Sequence, residues 1–251
     1  MGQLVYADDG FFFGLGAFET IAVEDGRPAL LPEHIERMLG TLSFLGIDGI
    51  DGDDLEELAR EGLSRPDARE GRKVLKLTAT QDNAIATLRV NHCTESERNR
   101  GFSLVTSDVQ RNETSPLTQH KTLCYGDCIL QKRAVKAAGY DEPIFLNTKG
   151  LIAEGATTNI IFSIGGRLVT PRIEDGILPG IMRSFALSRF DVEEASVGPD
   201  EAEDAEEVMV TNSLVGFMPV SSWDGRAFYD HRMAEEMQLA YEAEYPPARR
   251  V

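Results

Sequence analysis

Of the six lysines in this chain of 251 residues, Lys121 is set apart by its surroundings: a polar loop precedes it and a mostly apolar run follows. Leu123, Cys124, Ile129, Leu130, Ala134, Val135 and Ala138 fall at helical spacing until Gly139, which places Lys121 at a helix entrance. A partly desolvated amine gives up its proton more readily and can attack a carbonyl, which is the chemistry of a Schiff base with an aldehyde cofactor. A surface lysine near a helix start is the ordinary alternative. Glu154 is the one carboxylate in the small, apolar stretch Leu151-Ile-Ala-Glu-Gly-Ala156, between strands. A buried carboxylate needs a partner. A pyridine nitrogen is such a partner, and a carboxylate that keeps it protonated makes the ring an electron sink. A turn glutamate facing water is the plain alternative.

The third element is Gly176-Ile-Leu-Pro-Gly180-Ile-Met-Arg183, a glycine-proline loop opening into an apolar helix. Free N–H groups at a helix start can hold a phosphate without any lysine, although Pro and Gly also simply punctuate helices. Arg37 and Thr211-Asn212-Ser213 could complete such a phosphate cup. A competing constellation is His120, Cys124 and Cys128, spaced by four on one expected helical face. Structural zinc sites draw on close-set Cys pairs from turns, so buried cysteines on a helix are the preferred reading and no metal is expected. Gly14-Leu-Gly16 lacks the third glycine and following helix of a dinucleotide fingerprint.

Positioning these groups takes many elements. Phe18 to Val23 and Pro28 to Leu31 read as a hairpin turned at Glu24-Asp25-Gly26. Ile35, Met38, Leu39, Leu42 and Leu45 line a helix that carries His34 and Arg37 on its first turn, and Asp51 to Leu63 makes a second helix. Val74 to Thr80, Thr87 to Val90 and Phe102 to Thr106 suit strands of one sheet. Ser107 to Thr118 has neither period and reads as a domain connection. Beyond it, strands are expected at Pro143 to Asn147, Thr157 to Phe162, Arg167 to Val169 and Val208 to Thr211, and around the turn Asp224-Gly225. Helices are expected from Gly176 to Arg189, after its loop, and from Arg232 to Ala243.

At 42% hydrophobic and 27% charged, the chain is an ordinary globular one that buries one large core or two modest ones. Its 25 Lys and Arg against 42 Asp and Glu give −17, which repels phosphate backbones and anionic lipid and argues against a nucleic-acid or membrane partner. No apolar run approaches the roughly 20 residues of a bilayer span. The start, MGQLVYADDG, is acidic where a signal peptide is basic, so a cytoplasmic location is expected. Three cysteines, Cys93, Cys124 and Cys128, read as free thiols.

Taken in order, Phe13-Gly-Leu-Gly-Ala-Phe-Glu-Thr20, His34-Ile-Glu-Arg37, Lys121-Thr-Leu-Cys-Tyr125, Glu154-Gly-Ala-Thr-Thr-Asn159-Ile-Ile-Phe162, Leu178-Pro-Gly-Ile-Met-Arg183 and Thr211-Asn-Ser213 resemble the fold-type IV pyridoxal-phosphate enzymes, the class IV aminotransferase family. The resemblance implies an α/β (α+β) fold of two domains, about 1 to 110 and 117 to 251, joined by a connecting loop at 111 to 116. It further implies pyridoxal 5'-phosphate between the domains, a small-molecule amino substrate, and a homodimer that places a partner loop near the substrate.

Carried over, Lys121 matches the lysine that condenses with the cofactor aldehyde and then shuttles a proton. Glu154 matches the carboxylate on the pyridine nitrogen, and Tyr125 a tyrosine near the phenolic oxygen. Arg37, the N–H groups of Ile181 and Met182, and Ser213 match the phosphate contacts, while Asn159 supports the Glu154 strand. Cys124 and Met182 depart from the Asn and Thr found in many members, so a hydroxyl contact from the helix entrance is missing and the backbone donors remain. Phe18-Glu19-Thr20 and Gly180 to Arg183 look more like aminodeoxychorismate lyase than branched-chain transaminases, with Thr20 on the substrate side assisting proton delivery. A branched-chain or D-amino-acid transaminase is the alternative, with Arg89 or Arg111 as further candidates for a substrate carboxylate. A non-catalytic oligomeric binding protein, which would be colourless, is the rival of a different class.

Overall fold

The computed structural model describes residues 4–248, which divide into two compact units. The first comprises residues up to His92 together with His120–Tyr125 and the chain from Tyr245, and the second comprises Cys93–Gln119 and Gly126–Glu244. Both mix strands and helices, the α/β (α+β) class expected.

In the first unit a short helix α1 (Asp9–Phe13) leads to strands β1 (Ala17–Glu24) and β2 (Arg27–Pro28), helices α2 (Leu31–Phe44) and α3 (Gly52–Leu63), and strands β3 (Arg72–Ala79) and β4 (Ala84–Val90). The strands form one antiparallel sheet in the order β2-β1-β3-β4. Side chains alternate across a strand, so Ala17, Ile21 and Val23 share a face with Leu75, Leu77 and Ala79, and that face packs on Ile35, Met38, Leu42, Leu55 and Ala59 of the two helices. Glu19 occupies the same core-facing register and is wholly buried. The opposite face carries Phe18, Thr20, Val74, Lys76 and Thr78.

The second unit holds α4 (Glu95–Arg100), β5 (Phe102–Thr106), α5 (Gly126–Ala137), β6 (Glu142–Leu146), β7 (Ile152–Gly155), β8 (Asn159–Ile164), β9 (Arg167–Thr170), α6 (Ile181–Arg189), β10 (Val192–Glu194), α7 (Pro199–Ala202), β11 (Ala205–Asn212), β12 (Gly216–Trp223), β13 (Arg226–Ala227) and α8 (Arg232–Glu244). Its sheet runs β10-β9-β8-β11-β12-β5-β6-β7, with β13 on β12. Ile144, Ile152, Ile160, Phe162, Val208, Val210 and Met218 form the heart of its core.

Several elements differ from expectation. Phe102–Thr106 joins β12 and β6 rather than the first sheet, so the units part at residues 92 and 93 instead of near 110. The α5 helix starts at Gly126, five residues after Lys121. Residues 121 to 123 are instead drawn along β1: Phe18 N donates to Lys121 O at 3.0 Å, Leu123 N donates to Gly16 O at 2.8 Å, and Thr122 bridges Ala17. Backbone groups engaged with a neighbouring strand are not available for a helical turn. His120 and Cys124 therefore lie outside the helix that bears Cys128. Among the described residues no group of three or more His, Cys, Asp or Glu is placed to hold a metal. Glu154 lies on a strand, β7, rather than in a loop between strands. Leu31 opens α2 rather than closing the first hairpin. None of the helices among the described residues is long and apolar enough to cross a membrane.

Candidate active site

In the first unit, Lys121 is half-buried. Its Nζ lies 4.6 Å from the centroid of the Phe18 ring and 5.0 Å from that of Tyr125. The two rings meet edge to face at 86° with centroids 5.3 Å apart, so the amine occupies an aromatic corner. The main chain of Lys121 is fixed on both sides. Its carbonyl accepts from β1, and its N–H donates to Thr41 Oγ1 at 3.3 Å. The Thr41 hydroxyl in turn donates to Arg37 O, one turn earlier in α2, at 3.1 Å. His120 stacks on Phe44 of α2, ring centroids 3.9 Å apart, and this anchors the segment from its other end.

Arg37 is gripped by Glu19. Nε donates to Oε1 and Nη2 to Oε2, each at 2.7 Å, a bidentate fork that leaves the guanidinium little freedom. His34 Nδ1 also reaches Oε2 at 2.6 Å. Burial pushes the Glu19 carboxyl upward, but the Arg37 and His34 charges and their hydrogen bonds outweigh it and hold the group well below the ordinary carboxylate range. Thr20, the next residue, points to the opposite sheet face, the one that bears Phe18.

In the second unit, Glu154 is 4% exposed on β7 and both its oxygens are oriented. Oε1 accepts from Arg111 Nη2 at 2.5 Å, while Oε2 accepts from the Leu178 N–H at 3.0 Å and from Asn159 Nδ2 at 3.2 Å. The same Asn159 amide donates to Leu178 O at 2.9 Å, joining the start of β8 to the loop before α6. Gly180 is the N-cap of that nine-residue helix and gives it no side-chain cap. A Cβ at Gly180 would collide with Asn159 Oδ1. Ile181 and Met182 form the first turn with buried side chains, so only their backbone N–H groups can serve an anion. Ser213 sits in the turn between β11 and β12. That turn is shaped by Asn212, whose Oδ1 accepts from Leu214 N at 2.8 Å and Val215 N at 3.0 Å.

The expected residues thus divide between the units. Thr20, Arg37, Lys121 and Tyr125 gather in the first, and Glu154, Asn159, Ile181, Met182 and Ser213 belong to the second. Sequence reading missed Glu19, Thr41 and Arg111 as supports. Glu19 carried a signal, a charge at a core-facing position of an alternating strand, whereas Arg111 has no local pattern that distinguishes it. Arg111 is paired with Glu154, which makes it a support of that carboxylate.

In the first unit, an amine in an aromatic corner and a locked guanidinium suit an aldehyde and a phosphate; in the second, a fixed carboxylate and an uncapped helix start suit a pyridine nitrogen and a phosphate. The fold is that of fold-type IV enzymes: a fold IV transaminase from Curtobacterium pusillum superposes with a TM-score of 0.85 at 26% identity, over 97% of this chain and 91% of that one. The profile described as Amino-transferase class IV matches residues 16 to 223, and the chain belongs to that family of pyridoxal-phosphate enzymes. Its relatives differ in chemistry. Aminodeoxychorismate lyase of Bacillus subtilis is 27% identical over 84% of this chain and 78% of its own length. D-alanine aminotransferase of Bacillus licheniformis is 29% identical over 87% and 82%.

Proposed function

We propose that the protein is an aminodeoxychorismate lyase, converting its substrate to 4-aminobenzoate and pyruvate in folate synthesis, and that it acts as a homodimer. Bound pyridoxal phosphate supplies a carbonyl for the amine and an electron sink for the carbanion. Lys121 would supply the amine that condenses with the aldehyde, and its Nζ, once displaced from that carbon by the substrate amine, would be free to take the proton from the substrate α-carbon. Phe18 and Tyr125 keep water from one side of that nitrogen. Glu154 holds a proton on the pyridine nitrogen, and Arg111, Asn159 and the Leu178 N–H keep its carboxylate in place. Arg37 and the N–H groups of Ile181 and Met182 bind phosphate, joined by the Ser213 hydroxyl.

The observation that carries the lyase reading is Thr20, whose side chain shares a strand face with Phe18, the ring beneath Lys121 Nζ. A hydroxyl there can relay a proton during aromatisation and loss of pyruvate. Substrate and the two products have equal composition, so the reaction needs no second substrate. The B. subtilis relative supports the same reading. A transaminase would use the same lysine and glutamate but would need a keto-acid acceptor. Incubation of the holoenzyme with aminodeoxychorismate alone is expected to release 4-aminobenzoate and pyruvate in equal amounts. Conversion of the cofactor to its amine form by an α-amino acid, with no such release, would contradict the lyase and favour the transaminase.

A further inference from the structure

Lys76 is a half-buried cation without a carboxylate partner among the described residues. It sits on β3 directly across from Thr20 of β1 and Thr87 of β4. Its Nζ lies 4.6 Å from the centroid of the Phe18 ring, the distance at which Lys121 Nζ lies from that ring, so the two amines are separated by at most twice that length. The neighbouring positions on this face are Phe18, Thr20, Ala22, Val74, Thr78, Ile85, Thr87 and Arg89, and none is acidic. In a chain with 42 acidic residues against 25 basic ones, a sheet face that carries Lys76 and Arg89 and no acid at these neighbouring positions is a specific arrangement. Burial, together with the Arg89 charge, pulls the Lys76 amine below its ordinary value, as expected of an ammonium held without a counter-ion. Such a site gains most from an incoming anion, which relieves both the desolvation and the like-charge repulsion.

We propose that Lys76 is the counter-charge for a carboxylate of the substrate, bound on this sheet face beside Thr20 while the substrate's reacting amine stands near Lys121. Resting on the function proposed above, this makes the substrate an anionic amine and assigns its carboxylate to Lys76 rather than to Arg89 or Arg111. Neutral amines of the same shape would lack this anchor.

The test uses the holoenzyme, with benzoate as the anionic probe and benzamide as its neutral isostere. Lys76→Met is expected to weaken benzoate binding by about tenfold to a hundredfold, the range for losing a charged hydrogen-bond partner. Lys76→Arg should recover most of that loss, and benzamide binding should change less than twofold in either variant. In the wild-type enzyme, labelling of Lys76 by trinitrobenzenesulfonate, read by peptide mass spectrometry, is expected to fall with benzoate and not with benzamide. This measurement decides the matter even if a variant folds poorly. Unchanged benzoate affinity in Lys76→Met, equal losses for both probes, or Lys76 labelling indifferent to benzoate would overturn the proposal. Failure of the underlying function is read separately, as a holoenzyme whose cofactor is not attached at Lys121.

Discussion

Glu19 shows how a wholly buried carboxylate can fix a neighbouring cation in place. Its carboxylate fixes the Arg37 guanidinium from the core side and takes His34 as a second partner, so the cation is held at fixed length and angle. Removing one partner of a buried pair leaves the other uncompensated. Glu19→Gln is therefore expected to cost about 3 kcal/mol at pH 7, measured by urea unfolding. The pH dependence follows from the depressed Glu19 carboxyl. As pH falls below the reference 4.5, the unfolded chain takes up this proton while the folded chain does not, so the wild type loses this stabilisation through the acid range. Gln cannot titrate, so the gap between wild type and variant should shrink between pH 7 and pH 3.5. A gap constant across that range would show that the carboxylate is not the source.

At the scale of elements, the alternation of β1 does the sorting: odd positions face the helices, even positions share the opposite face with Phe18, and Glu19 and Thr20 are thereby sent to opposite sides. That alternation was legible, as were the periodicity of α2 and the glycine-proline opening of α6. The placement of 121 to 123 was not, because its apolar spacing suits a helix and only the competing backbone bonds to β1, a contact over about a hundred residues, decide otherwise. The same holds for Phe102–Thr106, whose β-branched pattern announces a strand but not which sheet takes it. Two glycines give a contrast that tests the packing of these elements. Gly180→Ala should push Asn159 off Leu178 O and Glu154, lowering thermal stability by about 1–3 kcal/mol and weakening cofactor affinity. Gly40→Ala, in α2 with nothing within 4 Å of the new methyl, should instead raise stability by about 0.5–1 kcal/mol. Equal effects at both positions would contradict the close approach of Gly180 to Asn159.

For the molecule as a whole, composition limits partners more than it selects a reaction. The surplus of acid discourages polyanions, while three of the cations stand close together in structure in the first unit: Arg37 on Glu19, and Lys76 and Lys121 each beside the Phe18 ring. Membership of the class IV family fixes the cofactor, while its members include both lyases and transaminases, and the lyase proposed above is argued from Thr20. Each catalytic role proposed above depends on Lys121 being the amine that binds the cofactor. The most direct measurement is borohydride reduction of the holoenzyme followed by peptide mass spectrometry. The pyridoxyl group should be found on the peptide containing Lys121, and the adduct and the visible absorbance of the bound cofactor should both vanish in Lys121→Ala. Trapping on another lysine, or an adduct that persists in Lys121→Ala, would contradict it.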